Sequence, residues 1–184
     1  MKFGIKTIDS AQVQNTALIT GTGSGIGKAT AKLLLKEGYL VFGYSRKNKI
    51  SHPNFIFTPI DLSDLTKVND LTLPIINSDN ILLINNAATI GSIVPIDKKE
   101  TSDIINEYNL NLVSPNILCR KFINSYFDQK KLLINIGSGA ANSPIPCWST
   151  YCATKAALEM LTRVIAKENH KNLRVFSIHP GIVD

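Results

Sequence analysis

The chain alternates short apolar runs with longer stretches whose apolar residues recur at helical spacing. A parallel sheet covered by helices on both faces requires this alternation, because a crossover must follow each parallel strand. Runs that are almost entirely apolar, such as residues 54–58 and 81–84, are typical of buried strands. Strands are predicted at residues 16–20, 39–44, 54–58, 81–84, 132–136 and 173–178.

Helices are predicted at residues 25–37, 63–71 and 150–169, and two more between residues 98 and 127 meet near residues 108–111. With right-handed crossovers, these elements give an α/β fold, a Rossmann-type, doubly wound parallel sheet of about six strands with helices on both faces. The 184 residues, 44% of them apolar, suffice for one sizeable core. We therefore expect an N-terminal extension, residues 1–14, followed by a single domain, residues 15–184.

The positive net charge makes a phosphate-bearing partner one hypothesis, and an ordinary solvated surface is the favoured alternative. Lys and Arg outnumber Asp and Glu by 20 to 14, but the basic residues are scattered and do not alternate with aromatic ones. The three cysteines lack the spacing of a zinc site or a redox dithiol, so no metal is expected. Neither a signal-like apolar region nor a membrane-spanning segment is apparent, and a reduced, cytoplasmic location is expected.

A glycine-rich turn connects the first predicted strand directly to the first predicted helix. In this context glycines allow close approach of the backbone to a pyrophosphate, and the helix N-terminus favours the anion. The spacing is G-x-x-x-G-x-G, and a tight turn that binds nothing is the alternative. The residues predicted to bind a dinucleotide here are Gly21, Thr22, Gly23, Ser24, Gly25, Ile26 and Gly27.

The second predicted strand is followed by basic residues and lacks an acid at its tip. A carboxylate there would hold the free ribose 2′-OH of NAD, whereas a basic side chain would accept a 2′-phosphate. Arg46 can make charge-assisted hydrogen bonds to phosphate, with Ser45 and Lys47 beside it. The sequence therefore favours NADP(H) over NAD(H), and a solvated Lys- and Arg-rich loop is the alternative.

Tyr151 and Lys155 lie four residues apart at the start of a predicted helix and share one face of it. A neighbouring ammonium stabilises a phenolate, so Tyr151 could donate a proton to a carbonyl oxygen as hydride reaches the carbon. Ser138 ends the fifth predicted strand at the same rim of the sheet and could hold the substrate oxygen. Alone, a Tyr and a Lys at this spacing are more often surface residues.

Two asparagine positions add to this rim. Asn86 and Ala87 follow the fourth predicted strand, where small residues would let a cofactor lie against the backbone. Asn111 lies where two predicted helices meet, and its amide could hold a water that leads to Lys155. Taken singly, these asparagines would more often be loop or cap residues.

The series TGTGSGIG, NNAA, GSGAA, YCATK and HPG, in this order and at these spacings, resembles the short-chain dehydrogenases/reductases over residues 16–184. The resemblance implies a proton-relay tetrad of Asn111, Ser138, Tyr151 and Lys155. It also implies that Asp61 and Leu62 lie near the adenine, and that the segment containing Pro180, Gly181 and Ile182 lies near the nicotinamide. The segment from Cys147 to Lys155 is similar to the branch that holds sepiapterin reductase and bacterial benzil reductase, which implies a dicarbonyl or bulky ketone substrate.

The chain departs from the family pattern in two ways. Ala88 replaces the usual glycine of NNAG, and the sequence stops just after the sixth predicted strand. The family's substrate-covering segment, last helix and seventh strand are therefore expected to be missing, which would weaken a homo-oligomer. The leading expectation is an NADPH-dependent carbonyl reductase. The alternatives are a catalytically silent NADP-binding or regulatory protein and a structural protein without a cofactor.

Overall fold

The computed structural model describes residues 15–181. The predicted N-terminal extension, residues 1–14, and the predicted cofactor contact Ile182 lie outside the described residues. Six parallel strands form one sheet, as predicted. They are β1 (Asn15–Thr20), β2 (Leu40–Ser45), β3 (Phe55–Pro59), β4 (Asn80–Asn85), β5 (Lys130–Ile136) and β6 (Leu173–Ile178).

The strand order β3-β2-β1-β4-β5-β6 places the reversal of winding between β1 and β4. Thr20 at the end of β1 is in register with Tyr44 at the end of β2, and Asn85 with Asn135 across β4 and β5. Because all strands run in one direction, their carboxyl ends form a single rim. A crevice opens at the reversal, and ligands of doubly wound sheets bind there.

Five α-helices connect the strands: α1 (Gly25–Lys36), α2 (Leu65–Asp70), α3 (Thr101–Tyr108), α4 (Ser114–Ser125) and α5 (Ser149–Lys167). A π-helical turn, Asn109–Val113, joins α3 to α4, so the predicted meeting of two helices is one continuous helical run with a widened turn. Short 3-10 turns cover Ile96–Lys98 and Gly139–Ala141. The last long helix ends two residues earlier than predicted because Asn169 adopts a left-handed backbone with φ of 53°.

Two apolar clusters lie on opposite faces of the sheet because side chains alternate along each strand. In β1, Leu18 packs into the larger cluster with Leu83 and Phe122, whereas Ala17 and Ile19 face the smaller cluster with α1. This arrangement confirms the α/β, Rossmann-type architecture with helices on both faces. Within residues 15–181, no helix is both long and apolar enough to cross a membrane.

Candidate active site

The glycine-rich turn lies at the crevice between β1 and β4. Gly21 has φ of 75°, and its N–H donates to the Tyr44 carbonyl oxygen at 2.8 Å. A Cβ on Gly27 would overlap the Gly21 carbonyl and the Asn86 amide. Both positions therefore require glycine for close packing of the turn against the ends of β2 and β4.

The N-terminus of α1 has the features of an anion site. Ser24 is the N-cap residue, but its side chain makes no capping hydrogen bond, and the first turn carries no acid. The first backbone N–H groups of the helix therefore lack an intrahelical or side-chain partner. Gly25 has φ of 51° and open space where a Cβ would point, so an approaching phosphate would meet bare backbone at the positive end of a helix dipole.

Hydrogen bonds of Thr20 and Asn86 join the ends of β1 and β4, the two strands that form the crevice. The Thr20 hydroxyl accepts hydrogen bonds from the N–H groups of Asn86 and Ala87 at 2.9 and 3.0 Å. The Asn86 amide donates to the Thr20 carbonyl oxygen at 2.9 Å. Asn86 therefore shapes the glycine turn through its side chain, and Ala87 lies directly against it. Sequence reasoning missed Thr20, although a Thr immediately before the turn was the available signal.

The turn after β2 holds Arg46 beside the glycine loop. The Ser45 hydroxyl is buried, donates to the Lys47 carbonyl oxygen at 2.8 Å and lies 3.3 Å from the Thr22 hydroxyl. A Cβ on Gly23 would contact the Lys47 carbonyl at 2.9 Å, so the two loops are closely packed. The Ser45 proton, which was predicted to help bind phosphate, is thus already committed to the turn, whereas Arg46 is exposed at its tip.

Asp61 and Leu62 follow β3 on the same rim. Asp61 accepts hydrogen bonds from the Ser63 N–H at 3.0 Å and the Ser63 hydroxyl at 2.7 Å. These bonds are the main cause of a lowered pKa for Asp61, and the positive charge of Arg46 adds to the effect. Leu62 is only 4% exposed and its side chain belongs to the apolar core.

Tyr151 and Lys155 lie on one face of α5, as their spacing predicted. The Lys155 ammonium is 5.7 Å from the centroid of the Tyr151 ring and donates to the carbonyl oxygen of Ile136 at 2.8 Å. Lys155 is only 3% exposed, and this burial lowers its pKa to about 8. The Tyr151 ring packs edge-on against Trp148 with centroids 5.6 Å apart.

Ser138 lies two residues beyond the carbonyl that Lys155 binds. Its hydroxyl oxygen accepts a hydrogen bond from the Ala140 N–H at 3.2 Å, and its backbone is extended. The hydroxyl proton is therefore free to donate to a ligand oxygen. The end of β5 consequently brings Ser138 to the helix that carries Tyr151 and Lys155.

Asn111 is connected to Tyr151 through Thr154. Its amide accepts from the Thr89 N–H at 2.9 Å and donates to the Thr89 carbonyl at 2.8 Å and the Thr154 hydroxyl at 3.2 Å. The Thr154 hydroxyl in turn donates to the Tyr151 carbonyl at 2.9 Å. Both amide N–H groups of the buried Asn111 are thus occupied. A water held by this amide, which the sequence predicts, would have only the remaining lone pair of Oδ1 as partner.

The loop after β6 forms the remaining part of the rim. Pro180 and Gly181 are exposed there, and Gly181 has φ of 77°. The neighbouring His179 lies 2.9 Å from the Glu159 carboxylate of α5, and its ring occupies the space that a Cβ on Gly137 would need. His179 therefore ties this loop to α5 and to the strand end that precedes Ser138.

Comparisons with known proteins agree on one class of enzyme. The family model described as short chain dehydrogenase matches residues 15–184. A benzil reductase ((S)-benzoin forming) from Bacillus cereus is 36% identical, and the alignment covers 91% of this chain and 75% of that protein. An NADPH-dependent pterin aldehyde reductase from Arabidopsis thaliana is 28% identical, with 96% and 78% covered. The crystal structure of a short-chain dehydrogenase/reductase from Burkholderia vietnamiensis superposes with a TM-score of 0.85 at 27% identity, covering 94% of this chain and 85% of that chain.

Proposed function

The chain belongs to the short-chain dehydrogenase family, and from this membership we propose that it reduces a ketone or dicarbonyl to an alcohol with hydride from NADPH. Its resemblance to benzil reductase and its membership of an NAD(P)-dependent oxidoreductase family confirm what the sequence motifs predicted. One observation supports the proposed activity above all others. The buried Lys155 ammonium lies beside the Tyr151 ring, close to the end of β5, which Ser138 follows. The same rim of the sheet carries the glycine-rich N-terminus of α1, which no side chain caps.

We propose the following roles for the residues of this rim. Tyr151 donates the proton to the carbonyl oxygen, because its phenol lies beside the Lys155 ammonium, which stabilises the phenolate left behind. The Ser138 hydroxyl donates a hydrogen bond to the same oxygen and holds it in place. Asn111 holds α5 and the loop after β4 together through its hydrogen bonds to Thr154 and Thr89. The bound nicotinamide supplies the hydride.

The described residues fit a dinucleotide. The free N–H groups of the α1 N-terminus suit a pyrophosphate, and Lys155 keeps two N–H groups beyond its bond to Ile136. Residues 15–60, which form the glycine turn, α1 and the loop after β2, include six basic residues and one acidic residue. Such a local excess of positive charge attracts a polyanionic cofactor.

Arg46 is exposed at the tip of β2, and no other described residue forms an ion pair with it. For this reason NADPH is the proposed form of the cofactor. The Arg46 guanidinium suits a phosphate, which it can bind through two parallel hydrogen bonds. The pterin aldehyde reductase relative is named as NADPH-dependent, which agrees with this preference. In this arrangement Ser45 and Thr22 support the turn that presents Arg46.

An aromatic dicarbonyl is the proposed substrate class. The benzil reductase relative acts on such a compound, and Trp148 places an aromatic surface 5.6 Å from the Tyr151 ring. The test is NADPH consumption by the purified protein with benzil, an aliphatic diketone and a simple ketone. We expect turnover that is fastest with the aromatic diketone. Thermal stabilisation by NADPH without turnover on any of these compounds would contradict the proposal and favour a silent NADP-binding protein.

The reaction is expected to slow as the pH rises. Because burial lowers the pKa of Lys155 to about 8, its ammonium loses the proton above that pH and no longer stabilises the Tyr151 phenolate. The value of kcat/KM for the carbonyl substrate should therefore be level below about pH 7 and fall through a midpoint near 8.

Lys155→Arg provides the control for this pH profile, because a guanidinium stays charged throughout the range. The variant should be slower, and the falling limb near pH 8 should be absent. A wild-type profile without a fall near this pH, or a fall that persists unchanged in Lys155→Arg, would contradict the assignment to Lys155.

A further inference from the structure

A fully buried ion pair lies outside the residues that the proposed mechanism uses. Lys99 precedes α3, Glu107 lies within it, and their Nζ and Oε1 atoms are 2.6 Å apart with both side chains 0% exposed. A buried ion pair is weak evidence for stability, because taking two charges out of water costs free energy that their attraction only partly offsets. We therefore looked for a part of the chain that this ion pair holds in position.

The pair contacts the connection between β4 and α3. The Lys99 ammonium donates to the Ser92 carbonyl oxygen at 3.0 Å. Gly91 has φ of 70° and packs so closely on the Glu107 carboxylate that a Cβ on Gly91 would overlap it. Both charged groups thus lie against the backbone of this connection, at Ser92 and Gly91.

The same segment is also held at Thr89. Asn111, four residues after Glu107 on the same helical run, binds the Thr89 N–H and carbonyl at 2.9 and 2.8 Å. Two residues before Thr89, the Ala87 N–H donates to the Thr20 hydroxyl at 3.0 Å. The connection is thus fixed at the crevice, at Asn111 and at the ion pair.

These contacts connect the buried pair to the reacting side of the rim. Asn111 joins Thr89 to Thr154, and the Thr154 hydroxyl binds the Tyr151 carbonyl. We define the β4–α3 segment as residues 89–99. A displacement of this segment would reach the start of α5 through Asn111 and Thr154, whereas Ala87 would stay bound to Thr20 at the crevice. The exposed Ile93 and the half-buried Ile90 give this segment an apolar surface suited to a carbonyl compound with apolar groups.

We propose that Lys99 and Glu107 are positioning residues that fix the β4–α3 segment as one wall of the carbonyl-binding cleft. The inference rests on the proposed reductase function. The pair contributes to substrate binding through the segment and touches neither the cofactor nor the carbonyl. Its loss is expected to raise KM for the carbonyl substrate while leaving the Kd for NADPH unchanged.

The decisive variant is the double substitution Lys99→Met with Glu107→Leu. Replacing a buried ion pair by apolar residues of similar volume is often neutral or stabilising, so this variant is expected to fold with a Tm close to that of the wild type. It lacks the donor to Ser92 and the carboxylate under Gly91. We expect KM for benzil to rise about tenfold and the Kd for NADPH to stay within about twofold. Unchanged KM in the folded double variant would overturn the proposal.

A single variant and an exposed control pair distinguish an effect on substrate binding from an effect on stability. Glu107→Gln leaves a buried ammonium without its partner, so it should lower Tm as well as raise KM. The control is Lys171→Met with Asp128→Leu, which removes an exposed pair 3.3 Å apart that lies outside the β4–α3 segment. This control should leave KM and Tm unchanged. If KM rises as much in the control as in the double variant, the effect comes from a general loss of charge, and the proposal is overturned.

Limited proteolysis separates this inference from the proposed function. If the wild-type protein reduces no carbonyl compound, the proposed function fails, yet thermolysin cleavage still tests the anchoring of the β4–α3 segment. Cleavage is measured before Ile90 and Ile93, which every variant keeps, because Lys99→Met itself adds an apolar residue to the segment. Faster cleavage there in the double variant than in the control would support the positioning role of the pair. Equal cleavage rates would overturn it.

Discussion

Tyr151→Phe is expected to lower kcat for carbonyl reduction by about 10²- to 10⁴-fold, the usual contribution of a general acid. The substitution removes only the phenolic hydroxyl, so the ring keeps its edge-on contact with Trp148 and its place beside the Lys155 ammonium. The proton for the carbonyl oxygen would then have to come from water. The measurement is steady-state NADPH oxidation with benzil, together with the Kd for NADPH from calorimetry, which should stay within about twofold.

Tyr108→Phe is the matched control for this prediction, because it deletes the same hydroxyl from a side chain exposed on α3. Its kcat should equal that of the wild type. Reduction at the wild-type rate in Tyr151→Phe would exclude Tyr151 as the acid. A large loss in NADPH affinity would instead assign the hydroxyl to cofactor binding.

Arg46→Asp is expected to reverse the preference between NADPH and NADH. The guanidinium would be replaced by a carboxylate that repels a 2′-phosphate and accepts a hydrogen bond from a free 2′-OH. A hydrogen bond to a charged group contributes about 1.5–3 kcal/mol, and each 1.4 kcal/mol corresponds to a factor of ten in affinity. The Kd for NADPH should therefore rise about 10- to 100-fold, and repulsion should increase this effect.

Lys49→Asp makes a similar change of charge three residues further along the same exposed loop. It alters the general field around the site, so it should weaken both cofactors by similar, smaller factors. An unchanged ratio of the two Kd values in Arg46→Asp would mean that Arg46 is a solvated surface residue. The preference for NADPH would then lose its structural basis.

The strands and the proposed catalytic pair were readable from the sequence because each depends on local periodicity. Apolar runs predicted all six strands, and the four-residue spacing predicted that Tyr151 and Lys155 share a face of α5. The sequence also predicted that two helices meet near Asn111. The π-helical form of that turn could not be predicted, because it depends on how the amide of Asn111 fits between Thr89 and Thr154.

The contacts of buried polar side chains were not readable from the sequence. Lys99 and Glu107 belong to a stretch rich in charges that resembles an exposed surface, and only the packing of α3 buries them together. The hydroxyl of Ser45 was predicted to help bind phosphate, but the structure directs it to Lys47 inside the turn. The first contact joins two side chains and the second joins a side chain to a backbone carbonyl, and both depend on how the chain packs in the folded protein.

Hydride transfer to a carbonyl carbon is the central claim, and an isotope label tests it most directly. Purified protein is incubated with benzil and NADPH that carries deuterium at both hydrogens of nicotinamide C4, and the product is analysed by mass spectrometry. The proposed mechanism predicts one deuterium at the carbinol carbon of a hydroxyketone, with one NADPH consumed for each product molecule. NADPH that binds and stabilises the protein without yielding any labelled product would contradict the proposed function.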